Sequence, residues 1–304
     1  MQRTRSDPFR KLRAALCAIV AAAATILAVQ AQRQPGTSPS APHRIVCLIP
    51  NVTEILFAVG AGPQVVAVSS YDTYPPAVRS LPRVGALLDP DVERILSLRP
   101  DLVVAYGSQV DLTRQLARAH ITVYPYRHGG IADLLRTTRE IGVRTGHAAE
   151  GERVASRMER ELDAVRARVR GRPRPRTLLV FGREPRALRG IYASGGTGFL
   201  NDMLTIAGGE NVFANVRQES VQASTEVILA MRPDVVLEVR ASDSAMPIGD
   251  LQAEIAVWNA LPALPAVQHH RVRFLVDDRL VVPGPRIAQG TELMARALHP
   301  EAFQ

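Results

Sequence analysis

The stretch VERILSLRPDLVVA at residues 92–105 returns at 225–238 as TEVILAMRPDVVLE. Glu93 and Glu226 stand near the start of the two copies, Ile95-Leu96 and Ile228-Leu229 follow at the same offsets, and Arg99-Pro100-Asp101 is matched by Arg232-Pro233-Asp234. Proline disfavours helix in the residue before it, so each copy reads as a short helix, a turn at the proline and a buried strand of Val and Leu. A chain that repeats this unit is expected to fold as two related α/β lobes. Its 304 residues leave room for lobes of about 100–150 residues each.

The first 31 residues are of another kind. Arg3, Arg5, Arg10, Lys11 and Arg13 precede an apolar run from Ala14 to Val29, and Val29 and Ala31 have the spacing a signal peptidase reads. The run is shorter than the roughly 20 residues a spanning helix needs. Residues 1–31 therefore read as an export signal, with a mature chain starting near Gln32 in the periplasm; an uncleaved anchor is the competing reading. Cys17, at the start of the run and after Leu16, is not in the context of a lipoprotein cysteine. Residues 32–43, with QRQPGTSPSAP, read as a flexible leader.

Five basic residues and Asp7 leave with the signal, and with them half of the net charge of +8. The remaining arginines are scattered and aromatic residues make up 5% of the chain, which is not the grouped basic face of a nucleic-acid binder. Cys47, inside the apolar run RIVCLI, is the one cysteine beyond the signal, so no internal disulfide is expected and the thiol should be buried and inert.

From Arg44 onward strand-like and helix-like runs alternate: RIVCLI, Asn51 to Gly60, VVAVSS, Asp89 to Leu98, LVVAY, Leu112 to His120, ITVYPY and Ile131 to Thr145. The second half follows more loosely with TLLVFG, Gly198 to Ala207, Thr225 to Met231, VVLEV and VRFLVD. The alternation predicts Rossmann-like lobes with mostly parallel sheets over 44–145 and 171–304. Residues 146–170 carry no turn signal, and Val154, Met158, Leu162, Val165 and Val169 form one apolar stripe, so a single long helix is expected to join the lobes. A ligand cleft belongs between them, at the carboxyl ends of the strands. The loops there hold Asn51, Tyr71 to Tyr74, Leu87-Leu88, Tyr106, Arg183 and Asp277 to Arg279. Asn51 and Glu54 have capping-box spacing, which gives Glu54 a structural task.

RIVCLIPNVTEILFAVG at 44–60, VVAVSSYDTYPP at 65–76, VERILSLRPDLVVAY at 92–106, GGENVF at 208–213 and GPRI at 284–287 together resemble the helical-backbone class of periplasmic substrate-binding proteins of ABC importers. The likeness is greatest to its cobalamin-binding members. It implies a monomeric binding protein, not an enzyme, with no cofactor of its own, that delivers cobalamin or another corrinoid to a permease dimer with its ATPase. It further implies that Tyr71 stacks on the ligand, that Asn51 and Asp278 reach it, and that Glu93 and Glu226 pair with permease arginines. Both Glu residues also follow a plausible N-cap, Asp91 or Ser224, where a carboxylate gains from the helix dipole without any partner. Leu87, Tyr106 and Ser220 stand where cobalamin binders carry Trp, and the only Trp, Trp258, is expected in the core.

Other readings follow from other residues. Arg183, Arg189, Arg279 and Arg286 could hold an anionic ferric siderophore. His128, in the loop after ITVYPY, could be an axial ligand of haem. The seven His residues form no cluster that would hold a bare metal ion. GGTG at 195–198 could cradle an anion before a helix, yet the Gly-x-Gly-x-x-Gly spacing, a Walker lysine and any Ser-His-Asp set are missing, so an enzyme on this fold is disfavoured.

Overall fold

A computed structural model describes residues 41–242 and 251–304. The expected signal segment, Cys17 and most of the leader lie outside the described residues. The first sheet comprises β1 (Ile45–Cys47), β2 (Val65–Val68), β3 (Leu102–Tyr106) and β4 (Thr122–Tyr126), all parallel, in the order β2-β1-β3-β4. Alternate side chains serve two cores: Ile45, Cys47, Leu102 and Val104 join one, while Val46, Val103 and Ala105 join the other. Burial on both faces is why these strands read as unbroken apolar runs. Helices α1 (Pro50–Ala58), α2 (Val92–Ser97), α3 (Val110–Arg118) and α4 (Ile131–Arg144) alternate with them.

Helix α5 (Ala148–Arg168) is the long connector. At about 1.5 Å per residue its 21 residues reach roughly 30 Å. The predicted stripe, Val154, Met158, Leu162 and Val165 with Val169 just beyond, is buried in a core shared by both lobes. Where α4 turns back into α5 the backbones nearly touch, and a Cβ added at Gly142 would meet the Gly151 Cα at 2.7 Å.

The second sheet contains β5 (Arg176–Gly182), β6 (Ile191–Ser194), β7 (Glu210–Asn211), β8 (Ser220–Ala223), β9 (Val235–Arg240) and β10 (Val272–Val276), ordered β10-β9-β5-β6-β8 with β7 beside β5. Strands β10, β9 and β5 are parallel, but β6 pairs antiparallel with β5 and β8. The pairing is thus mostly parallel as expected, and this sheet is mixed only through β6 and β8, whose short, half-polar IYAS and SVQA runs give little sequence signal. Around it lie α6 (Phe199–Ile206), α7 (Thr225–Met231), α8 (Leu251–Ala256), α9 (Pro265–Gln268) and α10 (Ile287–Leu298). The alternation pattern leaves out α10, although Ile287, Met294 and Leu298 place it in the shared core. No helix among the described residues is long and apolar enough to cross a membrane.

The repeated stretch folds twice into the same unit. Each helix, α2 or α7, ends at an Arg with left-handed backbone, Arg99 (φ 46°) or Arg232 (φ 48°). Asp101 then accepts hydrogen bonds from the backbone N–H of His43 (2.7 Å) and Arg44 (2.9 Å), and Asp234 from that of Arg176 (3.0 Å). The same arginines reach back to the helix ends: Arg44 donates to the Leu98 carbonyl at 2.7 Å and Arg176 to the Met231 carbonyl at 2.8 Å. Arg-Pro-Asp is therefore a clasp that ties a helix C-terminus to the start of a neighbouring strand.

Candidate functional site

The carboxyl ends of the strands converge on a cavity of about 600 Å³. His128, from the loop after β4, faces the second lobe's Phe181 at the end of β5, Phe199 at the start of α6, Glu219 beside β8 and Arg240 at the end of β9, with Val281 below. Its walls are mainly apolar, as in small-molecule sites. Thr197 and Gly198 line the cavity, and the two glycines before them are required sterically: a Cβ on Gly195 or Gly196 would meet the carbonyl oxygen of Gln218 or Ala214 at about 2 Å. The GGTG loop is thus a close backbone crossing ahead of α6.

An aromatic chain leads into this cavity. Tyr106 packs edge-on to Tyr126 (5.7 Å between centroids), Tyr126 to His128 (6.2 Å) and His128 to Phe199 (5.2 Å), so the chain crosses from one lobe to the other. Burial lowers the His128 pKa, with the charge of Glu219 opposing it, which favours the neutral ring. Burial pushes the Tyr126 phenol well above its usual range.

The predicted site residues divide into groups. Tyr71 (73% exposed) and Leu87 (41%) stand free on loops at this end of the first sheet, outside the cavity lining. Tyr106 is half-buried, and Gln109 ties it to Leu87 by accepting from the Tyr106 N–H (2.9 Å) and donating to the Leu87 carbonyl (3.0 Å). Asp278 bridges the lobes, accepting from the Thr73 hydroxyl at 3.5 Å and from the Ser242 N–H at 2.7 Å.

Asn51, Arg183 and Arg279 do other work than expected. Asn51 lies inside α1, 5% exposed, and its amide nitrogen is spent on the Tyr126 hydroxyl (2.8 Å) and the Pro283 carbonyl (3.2 Å). The Arg183 side chain is sealed in the second lobe. Its Nε is 3.0 Å from both oxygens of Glu238, and its other nitrogens reach Glu254. Arg279 forks onto its neighbour Asp277, with Nε to Oδ1 at 2.8 Å. Glu54 is structural but not through a capping box: α1 has Ile49 at its N-cap with no side-chain cap, and the Glu54 carboxylate instead pairs with Arg286 across the lobes at 2.9 Å. Arg286 also lies 3.9 Å over the Tyr74 ring.

Cys47 is buried, with its thiol pushed up to about 12 by burial, as an inert core thiol should be. Trp258 is fully buried and donates to Glu238 at 2.6 Å. Phe181, Phe199, Glu219 and Arg240 were not singled out from the sequence. Phe181 is the last but one residue of the run TLLVFG and Arg240 directly follows the run VVLEV, so searching the last residues of each strand together with the loop after it reaches both. Among the described residues no group of three or more His, Cys, Asp or Glu could hold a metal ion.

Similarity to known proteins agrees with this architecture. Residues 45–278 match the periplasmic binding protein family. The chain is 30% identical over 280 residues to an uncharacterised ABC transporter substrate-binding lipoprotein of Bacillus subtilis strain 168, across 90% of this chain and 85% of that protein. It is 29% identical over 218 residues to the vitamin B12-binding protein of Yersinia pestis, across 71% and 75% of the two chains. The crystal structure of the periplasmic vitamin B12 binding protein of Vibrio cholerae superposes with a TM-score of 0.70 at 26% identity, covering 86% of this chain and 98% of that one. The periplasmic heme-binding protein of Roseiflexus sp. RS-1 gives 0.71 at 28%, covering 86% and 99%. The two-lobed chain belongs to the periplasmic binding protein family.

Proposed function

We propose that this protein is the exported substrate-binding component of an ABC importer, and that its cleft captures cobalamin or a related corrinoid for delivery to a permease dimer with its ATPase. The observation that carries the choice of ligand is the pairing of the arginines. Arg183 is held by Glu238 and Glu254, Arg189 by Glu184, Arg279 by Asp277 and Arg286 by Glu54. An anionic siderophore needs cations that are free to meet it, and these four are already neutralised. A flat, uncharged macrocycle rimmed with amides suits a cavity walled by Phe181, Phe199 and Val281 with a few polar groups. The vitamin B12-binding relatives support the same reading. Haem is the second reading, favoured by the likeness to a heme-binding protein and by the exposed Tyr71 phenol. Glu93 and Glu226, exposed on the matching helices α2 and α7, are the docking points for the permease.

Calorimetry with cyanocobalamin, dicyanocobinamide, haemin and a set of ferric siderophores tests the ligand. Both corrinoids should bind with no cofactor added, and Tyr71→Ala should weaken them by about 1–3 kcal/mol, the worth of a large apolar side chain brought into contact. Heat from a siderophore alone, abolished by Arg279→Ala, would replace the corrinoid reading with iron uptake.

A further inference from the structure

The cavity contains one imidazole whose proton is placed by the packing behind it. We infer that His128 meets the ligand through Nε2 as a hydrogen-bond donor, its tautomer set by Asn51 and Tyr126, and that it contacts an acceptor on the ligand's edge, such as an amide carbonyl, in preference to a metal centre. This rests on the reading of the cavity as the ligand site.

The chain of donors starts at an atom with no choice. The Pro283 carbonyl can only accept, so the group 3.2 Å away on Asn51 is the amide nitrogen. That nitrogen is also 2.8 Å from the Tyr126 hydroxyl, and its two hydrogens are thereby both used. A flipped amide would set two carbonyl oxygens against each other in a buried place. The Tyr126 oxygen accepts from Asn51 and turns its own hydrogen toward His128 Nδ1, 3.3 Å away. A neutral imidazole that accepts at Nδ1 carries its hydrogen on Nε2.

The unoccupied nitrogen is thus a donor. The ring is edge-on between Tyr126 and Phe199, which limits its rotation, and it is open to solvent on the cavity side. Metal ligation by Nε2 would require the hydrogen to move to Nδ1. Tyr126 would then face donors from both Asn51 and His128, and its own hydrogen would have to find a new acceptor. Leaving a buried donor unmade is what makes this arrangement unfavourable. Asn51 and Tyr126 belong to the first lobe and Pro283 to the second, so the tautomer is anchored at a contact between lobes.

Nitrogen-15 NMR of the ligand-free protein near pH 7.5 reads the tautomer directly, with the His128 signals identified by their loss in His128→Ala. An unprotonated Nδ1 and a protonated Nε2 are expected, and Tyr126→Phe should turn this into a mixture. A protonated Nδ1 in the unsubstituted protein, or an unchanged pattern in Tyr126→Phe, would overturn the relay. With cyanocobalamin as probe, His128→Ala should weaken binding roughly two- to tenfold, the worth of one hydrogen bond, and His128→Gln, which can also donate, should restore part of it. Unaltered affinity in His128→Ala would remove the donor role. Haemin should give no imidazole-ligated spectrum that depends on His128, and such a spectrum would overturn the preference against a metal. If the unsubstituted protein ignores cyanocobalamin, the corrinoid reading fails, while the NMR pattern still decides the tautomer.

Discussion

The two copies of the repeated unit share their scaffold and differ in polarity at one buried strand position. Both use an N-cap, Asp91 accepting from the Arg94 N–H at 3.0 Å and Ser224 from the Val227 N–H at 3.4 Å, and both close with the Arg-Pro-Asp clasp. Along the strand that follows, Ala105 of β3 corresponds to Glu238 of β9. Ala105 fills an apolar core, whereas Glu238 binds Arg183, Arg240 and the Trp258 indole, all without exposure to solvent at its own side chain. The clasp is therefore generic to the unit. The interior of the second lobe has been given over to a charged network that ends at Arg240, on the cavity wall.

If the copies were interchangeable, Glu238→Ala, which restores the residue of the first copy, would be tolerated. It should instead be the most damaging of the changes considered, costing about 3–5 kcal/mol, because Arg183 keeps only Glu254 as a charged partner and the Trp258 N–H loses its acceptor. Glu238→Gln keeps an acceptor for the Trp258 N–H but removes the charge that faces Arg183 and Arg240, so it should recover only part of the loss. Urea unfolding measures both variants. A loss below about 1 kcal/mol for Glu238→Ala would mean that the network contributes little to holding the lobe together.

The loops that face each other across the cleft show a second asymmetry. In the second lobe Asp277 is held below its usual range by its hydrogen bond to Arg279. In the first, Asp72 is 2% exposed, and neither its carboxylate oxygens nor the Thr53 hydroxyl finds a partner. Burial lifts Asp72 to about 7, opposed by the charge of Arg83 and by the Thr53 hydroxyl and Ser69 backbone, which lie near without closing a hydrogen bond, while Glu54 and the Cys47 thiol also lie near it. The signs are opposite. Asp277 stabilises the fold above its unfolded pKa and loses that contribution as pH falls. Asp72 favours the fold when protonated, so stability is lost as pH rises from about 4 through about 7. Asp72→Asn, neutral at every pH, should flatten the decline and stabilise the protein at pH 8 by roughly 2–4 kcal/mol. Denaturation at pH 5 and pH 8 checks this, and an equal pH slope in protein and variant would contradict it.

Sequence reasoning reached the scaffold because its signals are local. A proline after a six- or seven-residue helix, and strands buried on both faces, leave marks within a dozen residues. Helix α10 escaped because Gly290 resembles a break, whereas its role is contact: a Cβ there would lie 2.1 Å from the Arg279 carbonyl oxygen. Loops after strands could be named as the cleft, and Tyr71, Leu87, Tyr106 and Asp278 lie on such loops or strand ends. What could not be read was the partner of each polar group. Asn51 meets Pro283 and Glu54 meets Arg286, 232 positions away in both cases, and Arg183 meets Glu238 at 55. No periodicity records such pairings, so Asn51, Arg183 and Arg279 looked available for ligand when their hydrogen bonds were already spent.

The smallest effect on the fold is expected where the two copies agree most closely. Glu93 and Glu226 sit in the first turns of α2 and α7, exposed, each beside a working N-cap. The hydrogen bond from Ser224 lowers the pKa of Glu226, so that carboxylate is charged throughout the neutral range. Since the caps and the clasps fix these helices already, replacing both Glu residues with Arg should barely shift the unfolding midpoint and should leave cyanocobalamin affinity nearly intact. Transport is another matter. Two acids presented at matching places on two related lobes suit a dimeric partner with two cationic sites, and reversing both charges turns attraction into repulsion. Uptake into vesicles carrying the permease and its ATPase should therefore fall in the double variant, and by less in either single one. Wild-type uptake by Glu93→Arg/Glu226→Arg would reduce the pair to a helix-dipole effect, and the agreement between the copies would then belong to the scaffold alone.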